Sequence, residues 1–166
     1  MIKVRILIGE GEVVDTFDEY GLCYLSSDDR LDCGIKGFES VSYPEEEGEH
    51  TDGKTVAGAF DYKVNFLVQA KNADLTNANA IIQKFNESLY DQSDSIDSPD
   101  IRKYKKVTFY NDYKRVKIVG LPNPITTATE FWRDKYGQAA DAVQVEFTIR
   151  VTKPSLCDFN LSNGDE

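Results

Sequence analysis

From Val143 to Val151 apolar and polar residues alternate without a break, with Val143, Val145, Phe147, Ile149 and Val151 set against Gln144, Glu146, Thr148 and Arg150. A period of two puts one set on each face of a strand, so residues 141–153 are predicted as a strand of an antiparallel sheet, buried on one side and wet on the other. Tyr62, Val64, Phe66, Val68 and Ala70 repeat the pattern against Lys63, Asn65 and Gln69. Leu67 is the one apolar residue on that second face, which predicts a partly covered outer side. Between the two strands, Leu75, Ala78, Ile82, Phe85 and Leu89 recur at steps of three and four, the stripe of an amphipathic helix over about 75–90 that lies on the sheet. Asp74 is its expected N-cap, and the run DQSDSIDSP from Asp91 to Pro99 ends it with turn formers.

Weaker signals fill the rest of the chain. Val4, Ile6 and Ile8 predict a first strand, residues 15–19 an acidic turn around Phe17, and Leu22, Tyr24 and Leu25 a second strand ending at Ser26. After a turn at 27–30, Leu31, Cys33 and Ile35 alternate with Asp32, Gly34 and Lys36 as a third strand, with Gly37 at a bend or bulge. Val107 and Phe109, then Asn111 and Asp112, then Val116, Ile118 and Gly120 read as a hairpin. The run LPNPI at 121–125 is expected to be an irregular connection. Residues 126–140 hold Phe131, Trp132 and Tyr136 with neither a helical nor a strand period, either as binding anchors on a loop or packed over an open barrel end. Leu156, Cys157, Phe159 and Leu161 anchor a tail whose last residues are polar.

At 166 residues, 40% hydrophobic and 29% charged, the chain fits one α+β, mainly β domain able to enclose a core without staples. We read residues 1–166 as that domain, in three parts: acidic strands and a flexible loop at 1–53, a strand–helix–hairpin–strand core at 54–154, and a tail at 155–166. The net charge of −10 is uneven. Residues 1–53 hold 14 Asp and Glu against 4 Lys and Arg, and the remainder holds 15 of each. An acidic surface disfavours nucleic acid, whose binding rests on neutralised phosphates, and no apolar run is long enough for a membrane-spanning helix. No signal peptide is evident at the start of the chain, which is expected to be made in the cytoplasm. Glu45, Glu46 and Glu47 open a polar loop to Gly53 that either stays solvated or orders against a neighbouring subunit. Lys105, Lys106, Lys114 and Arg115 gather with other basic residues around the hairpin, either guarding strand edges or pairing with the acidic third of another chain.

No reaction centre emerges, and the expectation is a protein that is not an enzyme and carries no cofactor or metal. His50, the one histidine, sits in the acidic loop without a partner enforced by position. Cys23, Cys33 and Cys157 match no zinc or redox spacing and read as small buried thiols. Carboxylates abound, but in polar turns that do not shield them as a catalytic acid requires. No phosphate-cradling glycine loop follows a strand.

The order of segments resembles the N-terminal domain of distal tail and related tail-tube-like proteins of long-tailed bacteriophages. The residues concerned are FDEYGL from Phe17 to Leu22, DGKTVAGAFDYKVNFLVQA from Asp52 to Ala70, the helix, the hairpin KKVTFYNDYKRVKIVGL and the closing strand VQVEFTIRV. The resemblance implies a small antiparallel open β-barrel or split sandwich with one helix packed on it. It further implies a phage or prophage tail structural protein, located in the virion tail, that assembles into a ring or tube with copies of itself and with other tail proteins. Ring formation needs heterologous contacts, for which Glu45, Glu46, Glu47, Lys105, Lys106, Lys114, Arg115, Trp132 and Tyr136 are the candidates. Such proteins often carry a second, carbohydrate-module-like domain; the end of this chain soon after Val151 favours a structural role over host binding. The alternative is a monomeric β-rich ligand- or carbohydrate-binding adhesion module that uses the Trp132 and Tyr136 loop.

Overall fold

The computed structural model describes residues 3–41, 50–70, 75–91, 102–133 and 140–161, with backbone alone at 35–41, 50–56, 133, 140 and 141. Its frame is the pair of strands with the clearest alternation, β6 (Phe60–Gln69) and β10 (Ala140–Val151). They run antiparallel with Phe60 opposite Val151, Tyr62 opposite Ile149, Val64 opposite Phe147, Phe66 opposite Val145 and Val68 opposite Val143, so each buried side chain meets a buried one. Sliding either strand by one residue would turn its five buried side chains to solvent, which is how an unbroken period of two specifies its own register. Leu67 is half-buried on the outer face, as its place in the pattern implied.

Ahead of this pair come β1 (Arg5–Ile8), β2 (Val14–Asp15), a short helix α1 (Thr16–Tyr20), β3 (Cys23–Ser27), β4 (Ile35–Val41) and β5 (His50–Ala57). After β6 follow α2 (Thr76–Leu89), β7 (Val107–Asn111), β8 (Val116–Asn123) and β9 (Ala128–Arg133), and a 3-10 turn, Pro154–Leu156, succeeds β10. Eight strands form one antiparallel sheet in the order β2-β1-β7-β8-β10-β6-β3 with β9 also on β10, while β4 and β5 form a separate two-stranded ribbon. Among the described residues the sheet does not close on itself. Strand β8 pairs with β7 through its first half and with β10 through Leu121–Asn123, so it carries the sheet around a corner. Gly120 stands at that corner: a Cβ there would collide with the Arg150 carbonyl oxygen and lie 2.9 Å from Ile149 Cγ2. Only a residue without a side chain lets the two backbones approach this closely.

Helix α2 lies across the barrel with Ala78, Phe85 and Leu89 buried and Leu75 and Ile82 packed on the core. Phe85 makes edge contacts with Tyr20 on one side and Phe147 on the other, both with ring centroids 5.2 Å apart, tying α2 to α1 and β10. The expected N-cap, Asp74, lies outside the described residues; Leu75 occupies the capping position and contributes no side-chain cap bond. The fold is therefore the expected α+β, mainly β, open barrel, with an added short helix.

Several local expectations give way to longer-range pairing. The acidic turn at 15–19 is the helix α1, because the Asp15 carboxylate accepts from the backbone N–H groups of Phe17 (2.9 Å) and Asp18 (3.1 Å) as an N-cap. Gly21 follows at φ 77 and ends it. The strand expected over residues 31–35 starts only at Ile35, since Asp32 caps the Cys33 N–H at 2.7 Å and Gly34 turns the chain at φ 77. At Gly37 the β4–β5 register shifts, which is the anticipated bulge. The loop expected at 45–53 is cut short because His50 already opens β5. LPNPI is not an irregular connection throughout, for Leu121, Pro122 and Asn123 pair with Arg150, Ile149 and Thr148. Pro122 is tolerated because β8 has left β7 by that point and lacks a second neighbour among the described residues. Finally, the stretch without a period contains β9, a strand along β10 opposite a bulged register.

Candidate assembly surfaces

Side chains tie β3, at one end of the sheet, to β6 and to the interior strand β7. Ser27 at the end of β3 bonds the Tyr24 hydroxyl at 2.8 Å and accepts from the Tyr62 hydroxyl at 3.0 Å. Asn111, fully buried at the end of β7, donates to the Tyr24 hydroxyl at 3.0 Å and accepts from the Lys114 N–H at 3.0 Å. A buried polar cluster of this kind contributes only when every member is satisfied, which ties β3, β6 and β7 to one arrangement. Burial pushes the Tyr62 phenol up to about 12, with the Ser27 hydrogen bond acting against it.

Lys114 belongs to this cluster. Its ammonium donates to the Ser27 carbonyl and pairs with the Asp29 carboxylate, and its side chain is only 21% exposed. It thus joins the basic hairpin to the acidic third within one chain. Arg5 makes the converse link to Asp112 at 3.0 Å while lying 5.0 Å from the Tyr110 ring centre. The neighbouring Arg115 adopts φ 60, and its carbonyl accepts from the Leu161 N–H at 2.9 Å. By contrast, Lys105 and Lys106 are exposed just ahead of β7 and make no ion pair among the described residues.

Trp132 is 42% exposed and Phe131 is 47% exposed on β9. The Trp132 indole N–H donates to Gln144 Oε1 at 3.1 Å, so this aromatic is held against β10. The outer edge of β9 has no partner strand among the described residues. Glu45, Glu46, Glu47 and Tyr136 lie outside the described residues. Of the nine expected contact residues the structure describes five, and these five do not lie together. Lys105 and Lys106 flank one end of β7, Lys114 and Arg115 the other, and Trp132 stands on a different edge.

Sequence reasoning passed over two features. The first is the loop at 28–34, pinned by Asp28 to both the N–H and the carbonyl of Lys63 (3.0 Å each) and by Arg30, which stacks 3.9 Å from the Phe60 ring centre and donates to the Cys33 carbonyl. It holds Leu31 out at 93% exposure. The second is a groove of about 440 Å³ beside α2, lined by Ile82, Gln83, Tyr90, Arg102, Tyr104 and Pro124 among others. Both arise from residues distant in sequence, which no local period records.

The three cysteines form no disulfide and are half-buried rather than fully buried, and burial raises the Cys23 and Cys157 thiols. Unactivated thiols of this kind are poor nucleophiles. No group of three or more His, Cys, Asp or Glu among the described residues is placed to hold a metal, and no described helix is long and apolar enough to cross a membrane.

The fold is similar to that of a solved phage tail protein. Over 91% of its length the chain superposes on the crystal structure of SPP1 Dit, with a TM-score of 0.51 and 15% sequence identity. That protein is described as a paradigm of the hub adsorption apparatus in phages infecting Gram-positive bacteria. The chain spans about half the length of SPP1 Dit, 50% of it being covered. No family model and no curated protein matches the sequence. At 15% identity the likeness is one of backbone path.

Proposed function

We propose that this chain is a non-enzymatic tail structural protein of a phage or prophage, acting in the virion tail as a ring or tube-like homo-oligomer bound to other tail proteins. The observation that carries the reading is the fold shared with SPP1 Dit across 91% of the chain. Two features support self-assembly: the β9 edge without a partner strand among the described residues, and the exposed aromatics on it. Ring closure requires that one surface meet a different surface of the next copy. Lys105, Lys106 and Trp132 are the described residues best placed for such contacts, with Glu45, Glu46, Glu47, Arg115 and Tyr136 completing the proposed set. Lys114, held by Ser27 and Asp29, acts within the subunit.

Sedimentation velocity over a range of concentrations, with negative-stain microscopy of the largest species, tests the reading. A closed ring is expected, weakened by the pair Lys105→Glu and Lys106→Glu, since rim charges set association rate and register more than affinity. A monomer at every concentration refutes it. Saturable glycan binding by that monomer, lost in Trp132→Ala, would establish an adhesion module instead.

A further inference from the structure

The Leu31 loop and the α2 groove sit at opposite ends of β7. Lys114, three residues past Asn111, reaches the loop through Asp29, while Tyr104, three residues before Val107, lines the groove. Five strand residues rise roughly 3.3 Å each between them, so one subunit cannot seat its own loop in its own groove. The two features are complementary in charge. The loop presents one large apolar side chain flanked by the carboxylates of Asp29 and Asp32, with the Arg30 guanidinium turned onto Phe60. The groove is of mixed lining: Ile82, Tyr90, Tyr104 and Pro124 supply apolar surface among the amides of Asn79, Gln83 and Asn86, Arg102 lies 5.2 Å from the Tyr90 ring centre, and Lys105 and Lys106 follow Tyr104 in the chain. Glu87 is the one carboxylate among its described lining residues.

We infer that the occupant of the groove is a second copy of this chain: Leu31 of one subunit inserts between Tyr90, Tyr104 and Ile82 of the next, with Asp29 and Asp32 facing Arg102 and Lys105. The contact rests on the ring reading above and specifies its interface. Loop and groove belong to different ends, so the contact is head to tail and repeats from copy to copy, as a ring demands. The loop is already held by Asp28, Arg30 and Gly34, so little freedom is lost on docking.

The test places the photoreactive residue benzoylphenylalanine at position 31 and irradiates an assembled mixture of isotopically light and heavy protein. Light-to-heavy cross-links mapping to residues 79–90 or 102–104 are expected. In parallel, Leu31→Asp and Gln83→Trp, the second filling the groove, should each weaken self-association roughly 10- to 100-fold, the loss of one buried leucine. Both positions are solvent-exposed, so thermal melting by circular dichroism should match the parent protein. Rings that form normally but cross-link elsewhere, or that tolerate both substitutions, overturn this contact and leave the ring reading standing. Failure of the unmodified chain to assemble at all overturns both.

Discussion

Replacing Gly120 by alanine tests the corner on which the whole barrel turns. The added Cβ meets the Arg150 carbonyl oxygen, with the Arg150 carbonyl carbon and Ile149 Cγ2 both at 2.9 Å. Two of the three obstacles are backbone, and that backbone belongs to β10, which is held on its far side by ten consecutive pairings with β6. It cannot give way as a flexible side chain would. Overpacking a well-filled core costs about 1–3 kcal/mol where side chains can adjust, and the general gain of up to about 1 kcal/mol from restricting the unfolded chain offsets only part of that. Because β8 must also pull away from β10 and loosen the pairing of Leu121–Asn123, a loss of about 3 kcal/mol is expected. For a chain of 166 residues that corresponds to a fall in melting temperature of roughly 6–12 °C. Urea titration followed by circular dichroism and tryptophan fluorescence reads it directly. A stability within 1 kcal/mol of the parent would mean that β8 does not cross β10 at this distance, and the corner would have to be redrawn.

Phe85→Ala should cost about 3–5 kcal/mol by removing the ring wedged between Tyr20 and Phe147, measured as a lower urea midpoint. Ser27→Ala leaves the hydroxyls of Tyr24 and Tyr62 and the Asn111 amide short of a partner, and the same titration should show a loss of about 1–3 kcal/mol. Stability should also decline in alkali. With the folded Tyr62 phenol near 12 against an ordinary value of 10.0, the folded state holds the proton more tightly, so the contribution is complete below pH 10 and is lost as pH rises towards 12. Tyr62→Phe should flatten that decline in a pH series of melting curves; an equal slope in both proteins would show that Tyr62 is not its source.

The two long strands and the helix stripe were legible in the sequence because their information is local. An unbroken alternation names the buried face, the partner's alternation names the register, and steps of three and four name the side of α2 that meets Phe147. The tertiary structure alone decided where weak patterns end and distant groups meet. Residues 31–35 alternate like a strand, yet a capping carboxylate and a left-handed glycine make 31–34 a loop that holds Leu31 in solvent. Residues 128–133 show no period because Thr129, Glu130, Phe131 and Trp132 are all exposed, and pairing with β10 makes them a strand nonetheless. The basic hairpin and the acidic third were both visible as charge, but only the fold turns Lys114 inward onto Asp29 and leaves Lys105 and Lys106 beside a groove. Side-chain period reports burial one residue at a time; hydrogen-bond partners and docking surfaces depend on which segments the closed core brings side by side.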